Sequence, residues 1–257
     1  MLYLKSLLIH LKGQMQYKMS FVFLLIGQFL TAFSAFLTIY VLMQRFHTVK
    51  GFTYPQVLLC FAVVLLSFSL AECFFRGFDT FSGIIANGQF DRILVRPRSA
   101  VYQVLCAKIE LTRLGRLLQA VLVMVYAIPH SGVIWTADKI GVLVLMILGG
   151  VAVFSALFVL YAGICFFTIE GLEFMNIFTD GGREFGSYPI SVFGESVLKF
   201  CTYVIPLALF QYYPLLWLLD MTDKVFYAFT PLIGALFWLP ALLVWRLGVK
   251  NYVSTGS

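Results

Sequence analysis

Six apolar, aromatic-rich stretches, each about long enough to cross a bilayer, fill most of this chain and leave one long polar segment between them. In a hydrocarbon layer about 30 Å thick every backbone N–H and C=O must be bonded within its own segment, so roughly 20 apolar residues span it as a helix. The chain is therefore expected to be an all-α integral membrane protein with six transmembrane helices. The spans are placed at about 20-44, 52-75, 111-137, 140-169, 190-213 and 225-245, within a single transmembrane domain 1-257. Composition agrees: 61% hydrophobic and 12% charged residues lie far from the roughly 45–50% apolar and about 25% charged mix of soluble domains.

Six spans put both termini on one side, and charge placement names the side. Of the 18 Lys and Arg, only Arg45, Lys50, Lys139 and Lys224 fall opposite the termini, leaving fourteen with them. Cytoplasmic loops retain positive charge, so a multi-pass protein with both termini in the cytoplasm is expected. The net charge of +6 expresses this bias, and no nucleic-acid partner is implied, because there is no soluble domain to carry a basic face.

Before the first span, Leu4, Leu8, Leu11 and Met15 recur at helical spacing, flanked by Lys5 and Lys12. This pattern predicts an interfacial helix over 1-19, apolar side toward the lipid; a frayed tail is the alternative. The apolar run that follows is too long for a cleavable signal segment. The five cysteines are odd in number without C-x-x-C spacing, and the three histidines lie far apart, so packing roles are expected and no metal site.

Charged residues beside the spans carry four further expectations. Glu72 is one helical turn from Arg76 and suited to pair with it. Arg113 and Arg116 are expected to reach out to the interface on their aliphatic stems. Glu170, Glu173, Asp180, Arg183 and Glu184, with Gly181-Gly182 as a flexible joint, read as a second cytoplasmic segment. Glu195 and Lys199, spaced i, i+4, are expected to pair at the inner end of the fifth helix, where a gating or substrate role is a second reading, shared with Pro206. Pro206 and Pro214 interrupt that stretch and free backbone groups, so the chain after Pro214 is a candidate to re-enter the membrane from outside.

The polar segment 76-110, extending to Arg116, holds seven basic and three acidic residues. Asn87-Gly88 signals a turn, Gln89 to Val95 suits two helical turns, and Pro97 disfavours helix at Arg96. The result is a short amphipathic helix with Phe90, Ile93 and Leu94 available to a partner groove. A basic loop that binds lipid headgroups is the other reading of the same residues.

Gly88-Gln89-Phe90-Asp91-Arg92-Ile93-Leu94-Val95-Arg96-Pro97 resembles the G-x-[LF]-D-x-x-L-x-R-P signature on the first cytoplasmic loop of bacterial type 2 ABC exporter permeases, the ABC-2 family. Gly182 to Pro189, Tyr203 to Ala208 and the ending from Trp245 to Gly256 resemble the same family, in the same order. The ending departs from it in having Leu247-Gly248 for the usual Gly-Leu and Thr255 for the common Ala. The resemblance implies a six-span permease subunit in the bacterial cytoplasmic membrane. It pairs with a second, identical or related, permease, and a cytoplasmic P-loop ATPase docks on a coupling helix between spans 2 and 3. It places the ATPase contact on Gln89, Phe90, Asp91, Arg92, Ile93, Leu94, Arg96 and Pro97. No G-x-x-x-x-G-K-[ST] phosphate loop and no catalytic motif occurs in the chain. ATP and Mg would therefore be bound by the partner, with no cofactor in this chain and no enzymatic activity of its own.

The function expected is export of a hydrophobic or amphipathic substrate, a drug, peptide or lipid-like metabolite. Two rivals share the spans. An ion-coupled secondary transporter would need ionisable groups at mid-membrane, which are nearly absent here. A non-transporting membrane anchor for an ATPase would share the docking loop.

Overall fold

The computed structural model describes residues 2–46, 48–168 and 175–254, and they form helices with one small hairpin. His47, Glu170, Glu173, Thr255 and Gly256 lie outside the described residues. Helix α1 (Leu2–Gln14) leads through a 3-10 turn into α2 (Lys18–Arg45). A two-residue hairpin, β1 (Thr48–Val49) with β2 (Phe52–Thr53), follows, its turn made by Lys50 and Gly51, both at positive φ as tight hairpin turns demand. Gln56 then accepts from the Thr53 amide at 2.9 Å, and with Pro55 in the first turn it starts α3 (Tyr54–Asp79).

Three short helices, α4 (Phe81–Ala86), α5 (Gln89–Leu94) and α6 (Ala100–Ala107), occupy the polar segment. Helix α7 (Leu114–His130) returns across the bundle. It stops short of 137, where the third span was expected to end, because the chain turns at Gly132 with φ +75°. Helix α8 (Ala137–Thr168) begins with Asp138 in its first turn, favourably placed at the positive end of the helix dipole. The remaining helices are α9 (Met175–Gly186), α10 (Glu195–Tyr203), α11 (Leu207–Leu218), α12 (Phe226–Ala235) and α13 (Trp238–Lys250). Between α12 and α13 the Leu236 and Phe237 amides make i, i+3 bonds, and the Leu239 amide takes Leu236 O at 2.9 Å, the acceptor that Pro240 has no amide to meet.

Helices α3 and α8 form the centre of the bundle, and α2 and α12–α13 lie outside them with large apolar surfaces open. Such surface is stable only in lipid or against another apolar body. Helices close up where side chains vanish: a Cβ on Gly163 would stand 2.9 Å from the Trp245 amide nitrogen, and one on Gly115 only 2.2 Å from the Leu25 carbonyl oxygen.

The fifth span departs from the sequence expectation. Residues 190-213 do not cross the bundle: α10 and α11 meet at 113°. Pro206 supplies no amide at the bend, and the Val204 and Ile205 amides both turn back to Phe200 O, at 2.9 and 3.2 Å. Both ends of the pair lie at the bundle end bearing the β-hairpin. Lys50 Nζ donates to Ser191 O at 2.7 Å, and Lys139 pairs with Asp220 at 2.6 Å. The apex lies deep in the bundle, where Leu207 approaches Gly182 and Phe154. α10–α11 is thus a re-entrant helical hairpin, entered after α9 has run from the terminal end toward the hairpin end. Re-entry begins with α10 and turns back at Pro206, earlier in the chain than Pro214, which lies within α11.

Candidate functional site

The end of the bundle that carries the termini holds the residues singled out in the polar segment. Gly88, in the left-handed region at φ +63°, caps α5 and sets its direction. Phe90 is fully buried. Its ring meets Phe166 at 4.9 Å, Tyr252 at 5.0 Å, Phe81 at 5.4 Å and Trp245 at 6.4 Å, all edge to face. That geometry suits the ring quadrupoles. The expectation that Phe90 packs on a partner is corrected: its partners are α4, α8, α13 and the C-terminal tail of its own chain. Ile93 packs on the same cluster, and Asp91 accepts from Ser254 Oγ at 2.6 Å. Gln89, Arg92, Leu94, Arg96 and Pro97 are exposed. With them stand Arg98 and Val95, the latter 84% exposed, neither of which the sequence singled out. Gln103 Nε2 donates to Ile93 O at 2.9 Å and Arg98 O at 3.0 Å, holding the turn after α5.

Beneath this surface lies a buried charge cluster. Glu72 on α3 accepts from Arg116 at 2.8 Å and stands 3.4 Å from Arg76 and 3.5 Å from Arg113. Arg76 also pairs with Asp79, and Arg113 reaches Glu110 at 3.1 Å and Gln28 Oε1 at 2.9 Å. The pairing of Glu72 with Arg76 is present. Arg113 and Arg116, expected to reach outward, instead turn inward, because a carboxylate with only 2% of its surface exposed needs counter-charge. Burial pushes the Glu110 carboxyl up, and Arg76, Arg113 and Lys108 together outweigh it, leaving it below its ordinary range.

Helix α1 docks on the same region through its polar side. Ser6 and His10 bond Cys106 O at 2.9 and 3.0 Å, and Gln14 bridges Ile109 O and the Leu111 amide. These backbone groups are open because the chain leaves α6 in extended form at Lys108 and Glu110. Leu8 on α1 and Met15 in the 3-10 turn after it are exposed. The i, i+4, i+8 spacing of Ser6, His10 and Gln14 was visible in the sequence, but its backbone acceptors were not.

The second polar segment also moves. Asp180, Arg183 and Glu184 lie on α9, with Arg183 over the Phe68 ring at 5.3 Å and paired with Glu184. Gly181 and Gly182 are interior to that helix and make no joint. Glu195 and Lys199 do pair, at 2.7 Å, but on α10 beyond the hairpin end of α9, not at an inner helix end. Pro206 is buried at the apex of the re-entrant hairpin.

Stretches distant in sequence thus meet in pairs. The segment 88–97 touches the ending through Phe90 with Trp245 and Tyr252, and through Asp91 with Ser254. The segment 182–189 touches the re-entrant hairpin, with Leu207 against Gly182, and the Gln211 amide donates to Gly186 O at 3.1 Å and Tyr188 O at 2.6 Å. A family model described as ABC-2 family transporter protein matches residues 29–256. The chain belongs to the ABC-2 transporter family. It is accordingly a multi-pass membrane permease, and the paired stretches are the ones that resemble ABC-2 permeases in sequence. No curated protein and no solved structure gives a significant match.

Proposed function

We propose that this ABC-2 permease works in the bacterial cytoplasmic membrane as one half of an ATP-driven exporter, moving a hydrophobic or amphipathic substrate outward. A separate cytoplasmic P-loop ATPase binds ATP and Mg, docks on the exposed face of α5 and drives the cycle. A second permease subunit, identical or related, completes the path. This chain hydrolyses nothing itself. The observation that carries the reading is the division of α5 and the turn after it into two faces: Phe90 and Ile93 rooted in the chain's own core, and Arg92 on the helix with Val95, Arg96 and Arg98 in the turn left open.

A force applied to the open face has two rigid routes into the bundle. One is the ring cluster, which ties α5 to α8 and α13. The other is the ion-pair cluster, which ties α3 to the start of α7 and, through Gln14 and Gln28, reaches α1 and α2. Docking shifts the permease only if the ATPase holds α5 differently with and without nucleotide. The charge bias supports termini in the cytoplasm after the corrections. Arg183 lies in the bundle and Lys199 on the far-side hairpin, leaving twelve cations with the termini against five opposite.

The test is gentle purification of the tagged protein from its host, with and without Arg92→Ala and Arg96→Ala together. A P-loop ATPase that co-purifies with the parent, and at least about tenfold less with the variant, supports the reading. An ATPase absent from the parent, with ion-gradient-driven flux in vesicles instead, would transfer the function to the secondary-transporter class.

A further inference from the structure

A second candidate site lies away from the docking surface, between α2 and α7. The two helices touch at Gly115 and Leu25, where the missing side chain lets backbone meet backbone, and a gap lies between them on the hairpin side of that contact. The wedge they leave is a cleft of about 460 Å³, within the usual range for small-molecule sites of roughly 300–1,000 Å³. Its walls carry Phe29, Phe33, Tyr40, Tyr54 and Tyr126. Phe29 and Phe33 stack at 6.3 Å, and Tyr40 meets Tyr54 edge to face at 6.0 Å. No charged side chain lines it.

Gln119 also forms part of this wall. It is 2% exposed, and among the described residues neither its amide nitrogen nor its carbonyl oxygen has a hydrogen-bond partner. A buried amide without partners is costly and uncommon. A trapped water would need two to four polar groups around it, and apart from three tyrosines the other lining residues are apolar. We infer that the cleft binds an uncharged, ring-bearing amphiphile that arrives from the bilayer and offers Gln119 a hydroxyl or amide. The mouth faces sideways between helices whose apolar groups are open, Leu37 and Tyr40 on α2 and Leu122 and Tyr126 on α7. A phospholipid chain fits the walls but leaves the Gln119 amide unmet.

The site stands independently of transport, and its test needs no ATPase. The full chain in lipid nanodiscs is photolabelled with an uncharged trifluoromethyl-diazirinyl benzyl alcohol and, separately, with the same molecule lacking the hydroxyl. Adducts are mapped by peptide mass spectrometry. Saturable alcohol adducts are expected on residues 29–40 and 119–126. They should fall about tenfold in Gln119→Leu, as loss of one hydrogen bond implies, and vanish in Leu122→Trp, which fills the cleft and leaves Gln119 in place. The hydroxyl-free probe should label diffusely and ignore Gln119→Leu. Equal labelling by both probes, or alcohol labelling unchanged in Gln119→Leu, would overturn the inference and leave the cleft to lipid.

Discussion

Phe90 on α5 and Tyr252 in the C-terminal tail meet edge to face, ring centroids 5.0 Å apart and planes at 82°. The contact places the end of the described chain against the helix to which an ATPase is proposed to dock, so α5 is part of the core at one face and a surface at the other. Phe90→Ala is expected to remove the ring from a fully buried site and destabilise the protein by about 3–5 kcal/mol. Val95→Ala should leave stability within about 0.5 kcal/mol. Thermal unfolding in detergent separates the two, and equal midpoints would contradict the inward placement of Phe90.

Glu72 and Arg116 make a sharper case. Glu72→Gln strips the carboxylate from three arginines in a buried setting, and breaking one partner of such a cluster costs about 3–5 kcal/mol. Adding Arg116→Met should regain most of that, because Arg113 keeps Glu110 and Arg76 keeps Asp79. A double-mutant cycle on unfolding midpoints measures it; simple additivity of the two losses would show that the pair is not coupled.

Glu110 gives a pH dependence. Its carboxyl lies below the ordinary range in the folded chain, so its ion pairs stabilise fully above the unfolded value of about 4.3. That contribution is lost as pH falls through the depressed folded value. The stability gap between the parent and Glu110→Gln should therefore be present at pH 7 and close progressively below about pH 4.3. A gap that widens with acid would reverse the sign.

The re-entrant hairpin makes a prediction about sidedness. In a Cys106→Ser background, Glu195→Cys at the start of α10 should react with an impermeant maleimide from the side opposite the termini. Val95→Cys should react from the side of the termini. Labelling of both from one side would restore a crossing through residues 190-213.

The long spans were legible because apolar length alone dictates a helix in lipid; α2, α3 and α8 follow that rule. Helix α9 was not legible in this way. Its twelve residues carry Asp180, Arg183 and Glu184, a pattern that reads as a solvated loop until Phe68 and Leu207 supply its packing. The position of α5 followed from Gly88 and Pro97. Which face it buries did not, since Phe90, Ile93 and Leu94 share one apolar side and only the distant Phe166, Trp245 and Tyr252 choose Phe90 for the core. Arg113 and Arg116 show the same limit, because a snorkelling arginine and a buried one differ only in whether a carboxylate waits inside.

The most direct test of the account is site-specific photo-crosslinking in the native membrane from a photoreactive residue placed at Val95 or, separately, at Phe90. The account predicts a crosslink to a P-loop ATPase from position 95 and an intramolecular product from position 90. Absence of any ATPase adduct at 95, with the protein intact and inserted, would contradict it.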